Sequence, residues 1–187
     1  MEALPPRPLA GMLSQPLVIF PAHYLRTGDS IQWSSRISES RAWLASFDST
    51  LERILKERGA PDTWRFPSEL ARSAQRNTGY VSNPYQLAAH GLRPPSRRNQ
   101  DELTDPLASQ VRAWTALSQA RVALLPIEIR FEGTRDSAQA VIRIAVIDAL
   151  RSRVSWLSDV RSDYGTAPTS ELLVSLARQV ADLIAQP

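Results

Sequence analysis

Apolar residues follow two rhythms along this chain, one near 3.6 residues and one of two. Leu17-Val18-Ile19-Phe20 is a short continuous run between Pro16 and Pro21, and it predicts a buried strand. From Ser38 to Arg58 the period lengthens. Trp43, Leu44, Phe47, Leu51, Ile54 and Leu55 recur at spacings of three and four, which puts one apolar stripe on a helix. Gly59 stops it and Pro61 prevents its return. Thr63–Phe66 reads as a short strand, and Pro67-Ser68-Glu69 opens a second helix to about Arg76. Asp105-Pro106 introduces a third helix to about Gln119, carrying Leu107, Val111, Trp114 and Leu117 on one side.

Three strands follow. In Val122–Phe131 the alternation places Leu125, Ile127, Ile129 and Phe131 on one face and Glu128, Arg130 and Glu132 on the other, as in a sheet with one wet face or edge. Ala140–Asp148 carries Ile142, Ile144 and Val146 opposite Arg143. Val154–Ser162 carries Val154, Trp156 and Val160, and the short link Asp148–Arg153 predicts a hairpin. Leu172, Leu173, Leu176, Val180, Leu183 and Ile184 form a last helical stripe that needs a sheet to cover. The order predicts an α/β (α+β) fold: a layered mixed sheet with a C-terminal antiparallel meander and helices packed on it. Its first βαβ unit is expected to be parallel and right-handed.

Two stretches fall outside this pattern. Residues 1–15, with three prolines, read as an extended N-terminal arm ahead of a single domain over 16–187. Residues 77–104 read as an irregular insertion. Within it, Asn83-Pro84 suggests a cap and first position of a short helix through Ala89.

Composition narrows the functional classes. The 187 residues suit one domain, and 43% of them are apolar. There is no cysteine, so disulfides, thiolate catalysis and cysteine-held zinc are impossible. No apolar run is long enough to span a membrane. The N-terminus is not a clear signal peptide, which leaves either a cytoplasmic protein or an export segment missing from this sequence. Net charge is +3, and Lys56 is the single lysine among 22 basic residues. The arginines are interleaved with acids, as in Asp159/Arg161/Asp163, which argues against a nucleic-acid footprint. His23 and His90 lie far apart without a ligand pattern, so no metal site is expected. No nucleophile elbow or phosphate-cradling glycine loop occurs. Asp148, at a strand end, is the most site-like acid, and its expected task is to bond backbone N–H groups of the hairpin turn. No catalytic residue and no cofactor is expected.

The strand and turn residues resemble a known fold. PLVIFPA (16–22), ALSQARVALLPIEIRFEG (116–133), AVIRIAVIDALRSRVSWLSDVRSD (140–163) and ELLVSLARQVADLIA (171–185) resemble the TolB amino-terminal-domain-like fold, shared with the CsgG and LpoB envelope proteins. Asp148 and Trp156 stand where that pattern has an aspartate-ended strand and a following tryptophan. Ser152 stands where its turn often has glycine. The resemblance implies a non-enzymatic envelope protein that binds other proteins, peripheral to the membrane on its periplasmic face, with a cytoplasmic location as the alternative. A general likeness, carried by no motif, is to accessory subunits of bacterial photosynthetic reaction-centre–light-harvesting complexes.

Aromatic residues and arginines dominate protein interfaces. Trp43, Phe47, Trp114, Phe131 and Trp156 fall on core faces. Trp33, Tyr80, Tyr85, His90, Arg93, Pro94, Pro95, Arg97 and Arg98 fall in irregular segments and form the expected docking surface. The expected partner is a larger membrane protein complex, photosystem subunits being one version, with peripheral membrane contact and no nucleic acid. The competing expectation is a ligand-binding domain or enzyme with a cleft at strand carboxyl ends, near Pro21–Tyr24 or Asp148.

Overall fold

A computed structural model describes residues 8–93 and 101–185. The strands are β1 (Leu17–Ile19), β2 (Tyr24–Leu25), β3 (Trp64–Arg65), β4 (Val122–Thr134), β5 (Ser137–Asp148) and β6 (Arg153–Arg161). The helices are α1 (Ser40–Glu57), α2 (Pro67–Arg76), α3 (Leu107–Leu117) and α4 (Ser170–Asp182). The sheet runs β3-β1-β4-β5-β6, and β2 also pairs with β4, further along the same strand as β1. β1 pairs in parallel with β3 and β4, while β4, β5 and β6 form the expected antiparallel meander. The fold is therefore a mixed open sheet with helices packed on it.

Both faces carry a core. The first buries Leu44, Phe47 and Leu51 of α1 and Leu173, Leu176 and Val180 of α4 against Ile142 and Ile144. The second buries Leu107, Val111 and Trp114 of α3, with Val81, Leu87 and Leu92 from the irregular segment, against Leu125 and Ile147. Every-third-and-fourth spacing gives α1 and α4 one apolar side each, and the sheet supplies the surface that stripe requires. The hairpin after β5 closes as expected: the Arg151 N–H donates to Asp148 Oδ1 at 3.1 Å. Ser152 adopts φ +50°, the left-handed region that explains why glycine is usual there.

The structure departs from the sequence reading at several places. The face assignment of β4 fails beyond Pro126, where the pairing with β5 shifts between Pro126 and Glu128. Ile127 is the extra residue of a β-bulge, so alternation restarts one position late. Leu125 and Ile127 pack on the second face, but Ile129 and Phe131 pack on the first. Residues 9–14, read as part of an extended arm, form a 3-10 turn at Ala10–Ser14, with Leu9 and Met12 buried and the Leu9 N–H donating to the Leu183 carbonyl at 3.1 Å. Tyr24–Leu25 is a strand too short to stand out. No helix forms over residues 83–88, and only a 3-10 turn follows at Ala89–Leu92. There the Asn83 side chain accepts the Tyr85 N–H, and the Leu87 and Ala88 N–H groups go to side chains instead of a helical turn.

A further correction, at Trp33, bears on function. It is fully buried, its ring 5.6 Å from that of Phe131, and its Nε1–H donates to the Arg135 carbonyl at 3.1 Å. It therefore fastens the loop before α1 over the β4–β5 hairpin and presents nothing to a partner. Trp33→Ala is expected to cost about 3–5 kcal/mol of stability, as large-to-small core changes do. Chemical denaturation checks this; a loss below about 1 kcal/mol would return Trp33 to the surface.

Candidate protein-docking site

The irregular segment is built from beneath. Val81, Leu87, Ala89 and Leu92 are buried in the second core. Side chains of the scaffold then take the segment's backbone groups one by one. Trp114 Nε1–H donates to the Ser82 carbonyl at 3.1 Å. His23 Nε2 accepts the Leu87 N–H at 3.3 Å, and Gln110 Oε1 accepts the Ala88 N–H at 2.9 Å. Arg143 Nη1 donates to the Arg93 carbonyl at 2.9 Å. A stretch whose regular structure is limited to a 3-10 turn at Ala89–Leu92 thus finds partners for buried backbone groups among fixed core residues, while the Ser82 hydroxyl has none among the described residues.

On the outside of this segment lie the expected docking residues. Tyr80 and His90 are exposed. Tyr85 is half-buried, with the Arg41 guanidinium 5.2 Å from its ring centre. Arg93 is half-buried, paired with Glu128 and stacked 4.7 Å from the Tyr24 ring centre. Tyr85 and Val81 also line a shallow groove of about 460 Å³ with Ala71, Ala74 and Gly79. Pro94, Pro95, Arg97 and Arg98 lie outside the described residues.

The polar side chains at the two places where a cleft was expected are taken up by internal partners. At Pro21–Tyr24, His23 is buried: its Nδ1 sits 2.7 Å from the Pro21 carbonyl, which fixes the proton on Nδ1 because Nε2 is an acceptor. Asp48 of α1 is also buried, and its Oδ1 accepts the Ala22 N–H at 2.9 Å. At the other place, Asp148 is committed to Arg121, Arg151 and the turn. The groove beside it, about 350 Å³, is lined mainly by Thr115, Ala116, Ala120, Ala149 and Leu150. A larger open cleft of about 610 Å³ lies elsewhere, between Tyr164, Thr166 and the start of α4. Among the described residues no three His, Cys, Asp or Glu side chains come together as a metal site would require, and no helix is long and apolar enough to cross a membrane.

Sequence reasoning missed one constellation. Glu128, Arg143 and Asp159 lie side by side across β4, β5 and β6, with Arg130, Glu132, Arg161 and Arg26 around them. The shared alternation of charged residues in three consecutive strands was the available signal. Burial opposes the charge of Asp159, but hydrogen bonds from Arg143 and Arg130, with their charges, outweigh it and hold the carboxyl at about 2.

His23 and Asp48 are perturbed in opposite senses. Burial lowers His23 from 6.5 to about 4, the Arg41 charge adding to it and bonds to the Pro21 and Pro126 backbone opposing it. Burial raises Asp48 from 3.8 to about 7, against the Ala22 N–H and Arg41 and with Glu52. Folded His23 holds fewer protons than the unfolded chain, so its contribution is full above pH 6.5 and is lost as pH falls towards 4. Folded Asp48 holds more, so its contribution is full below pH 3.8 and is lost as pH rises through 7. Over the shared window from 4 to 6.5 the two slopes oppose each other. Asp48→Asn keeps an acceptor for Ala22 and unmasks His23. Its stability is expected to rise with pH across that window by up to about 1.4 kcal/mol per unit, where the parent is nearly flat. Urea titrations at successive pH values decide it; equal slopes in both proteins would contradict the assignment.

No family model matches the chain, and no curated protein matches it. Solved structures do resemble it. The PelC dodecamer from Paraburkholderia phytofirmans is 16% identical with a TM-score of 0.44, over 91% of this chain and 87% of that one. A hypothetical protein of Chlamydia trachomatis is 18% identical with a TM-score of 0.44, over 88% and 91%. The LpoB C-terminal domain from Salmonella enterica is 14% identical with a TM-score of 0.41, over 84% and 94%. LpoB is among the proteins that the strand and turn residues resemble, while the photosynthetic likeness gains no support from these structures. At such values the likenesses carry no argument about what the chain does.

Proposed function

We propose that this chain is a non-enzymatic accessory domain that docks onto a larger, membrane-associated protein assembly. The reading rests on one observation: an irregular segment, residues 78–93, is held rigid from below by Trp114, His23, Gln110 and Arg143, while Tyr80, Tyr85 and His90 remain on its outer side. Binding residues concentrate on loops positioned by a rigid scaffold, and preorganisation lowers the entropy cost of association. Tyrosine in particular offers a large, stiff and amphipathic contact surface. The expected domain over 16–187 acts here as one unit together with the packed turn at residues 9–14, and the periplasmic face of the membrane is the location this reading favours. A photosynthetic complex is one assembly of this kind, though no described residue argues for it.

The test compares the parent with a Tyr80→Ala/Tyr85→Ala/His90→Ala variant. Each is purified from host membranes in mild detergent, and co-purifying proteins are identified by mass spectrometry. A defined set of membrane-complex subunits is expected with the parent and at least about tenfold less with the variant. The variant should stay folded with a melting temperature only a few degrees lower, because surface substitutions move stability by about 0.5 kcal/mol each and Tyr85 is half-buried. A parent that elutes alone, or a variant that keeps the same companions, would overturn the proposal.

A further inference from the structure

The second face of the sheet divides at the bulge of β4. On one side of it, α3 and residues 81–92 cover Leu125, Ile127, Ala145 and Ile147. On the other side the face is polar. Glu128, Arg143 and Asp159 form one row across three strands, and Arg130 and Arg161 flank Val141 in the next. Glu128 takes Arg26 at 2.9 Å and also Arg93. Asp159 takes Arg143 at 2.8 Å and Arg130 at 2.7 Å. Glu132 takes Arg130 at 2.7 Å and Arg161 at 3.5 Å. Among the described residues, arginines in this lattice outnumber carboxylates, and the surplus is positive.

The charges are also layered in depth. Side-chain exposure is 2% for Glu128 and 18% for Asp159, but 44% for Arg26, 37% for Arg93 and 50% for Arg161. Glu128 thus lies on the floor with Arg143 at 10% and Arg130 at 14% beside Asp159, while Arg26, Arg93 and Arg161 form the roof together with Glu132 at 37%. Each guanidinium carries five N–H donors in a planar fork suited to carboxylates. Arg26 gives one close contact to Glu128, and Arg161 only a long one to Glu132, so donor capacity on both points outward.

We propose that this half of the sheet face receives an acidic, carboxylate-bearing segment of a partner protein. The inference rests on the docking reading above and names the chemistry of the partner. Opposite potentials across an interface fix register and speed encounter, and neighbouring strands about 4.8 Å apart hold the guanidinium groups side by side on one face. A bilayer is disfavoured because the exposed large apolar residues, Tyr80, Leu150 and Tyr164, lie outside the lattice and give it no wedge. A nucleic acid is disfavoured because so small a positive surplus falls short of the several phosphate contacts such binding needs.

The full chain, labelled with nitrogen-15, is titrated with an oligo-glutamate peptide, with oligo-lysine, and with phosphatidylglycerol-containing vesicles. Oligo-glutamate is expected to shift the amide signals of Arg26, Arg130, Arg143 and Arg161 saturably, with affinity falling as salt rises. Arg26→Ala/Arg161→Ala should bind it about tenfold more weakly while staying folded by far-UV circular dichroism, since Arg93 still pairs with Glu128. No saturable shift, shifts centred elsewhere, an equal response to oligo-lysine, or binding to vesicles alone would each overturn the inference. The same double variant enters the membrane co-purification. If it keeps the partner while the Tyr80/Tyr85/His90 variant loses it, the acidic-partner inference fails and the docking function stands. If neither variant loses the partner, both fail.

Discussion

One extra residue in β4 decides what each face of this protein is for. Were the strand regular from Leu124 to Thr134, Glu128 would lie beneath α1 and α4, and an unpaired carboxylate there would be strongly unfavourable. The bulge at Ile127 moves Glu128 to the second face, beside Arg143 of β5. It also keeps Ile129 and Phe131 on the first face, where Trp33 and Trp43 close around Phe131. Pro126, which has no N–H to offer the ladder, sits where the pairing shifts and costs less there than in a regular central strand. The same irregularity therefore completes one core and ends the other. Where the second core ends, the charged lattice begins.

That lattice and the irregular segment are joined through Arg143. Its Nε and Nη2 bind Asp159, and its Nη1 holds the Arg93 carbonyl. Arg93 in turn reaches Glu128 and lies against Tyr24. Further back, His23 and Gln110 hold Leu87 and Ala88. The segment is thus ordered by side chains, each of which must be in one protonation state or rotamer to serve. His23 does so as a neutral ring because burial disfavours its charge. A helix or strand would have needed none of these residues, but it would also have aimed its outer side chains by a fixed period. An irregular backbone held at chosen points frees Tyr80, Tyr85 and His90 from that constraint.

The helices were readable in the sequence because their apolar stripes extend over several turns, as in Leu44, Phe47, Leu51, Ile54 and Leu55, and each stripe requires a surface to cover. The meander was readable for the same reason at period two, except that a second shift at Ser155 sends Val154 to the face opposite Trp156 and Val160. The bulge was not, because Leu125, Ile127, Ile129 and Phe131 continue an unbroken alternation across it, and only the pairing with Ile144 and Arg143 exposes the slip. Trp33 was misread because loop position says nothing about burial when the loop folds back over a hairpin end. Asn83-Pro84 carried a genuine helix-start signal, but tertiary partners took the donors that a helix would have used. In the docking segment, residue type and place in an irregular stretch single out Tyr80, Tyr85, His90 and Arg93. What ties the segment down could not be read that way, since Trp114, Gln110 and Arg143 are distant in sequence.

The near absence of lysine also acquires a structural sense on this face. Arg130 contacts Glu132 and Asp159 at once, and Arg143 spans Asp159 and a backbone carbonyl. An ammonium group has three donors around a point and cannot hold two partners lying in one plane as a guanidinium does. Its stronger hydration would also oppose burial beside Val141 and Glu128. The arginines can therefore do two things together. They neutralise carboxylates that would otherwise be costly to bury, and they leave donor capacity on the outer rim. A salt bridge with both partners buried only offsets its own desolvation. One built with the acid below and the base above does more, because the group left facing solvent is already oriented and already partly dehydrated when a partner arrives.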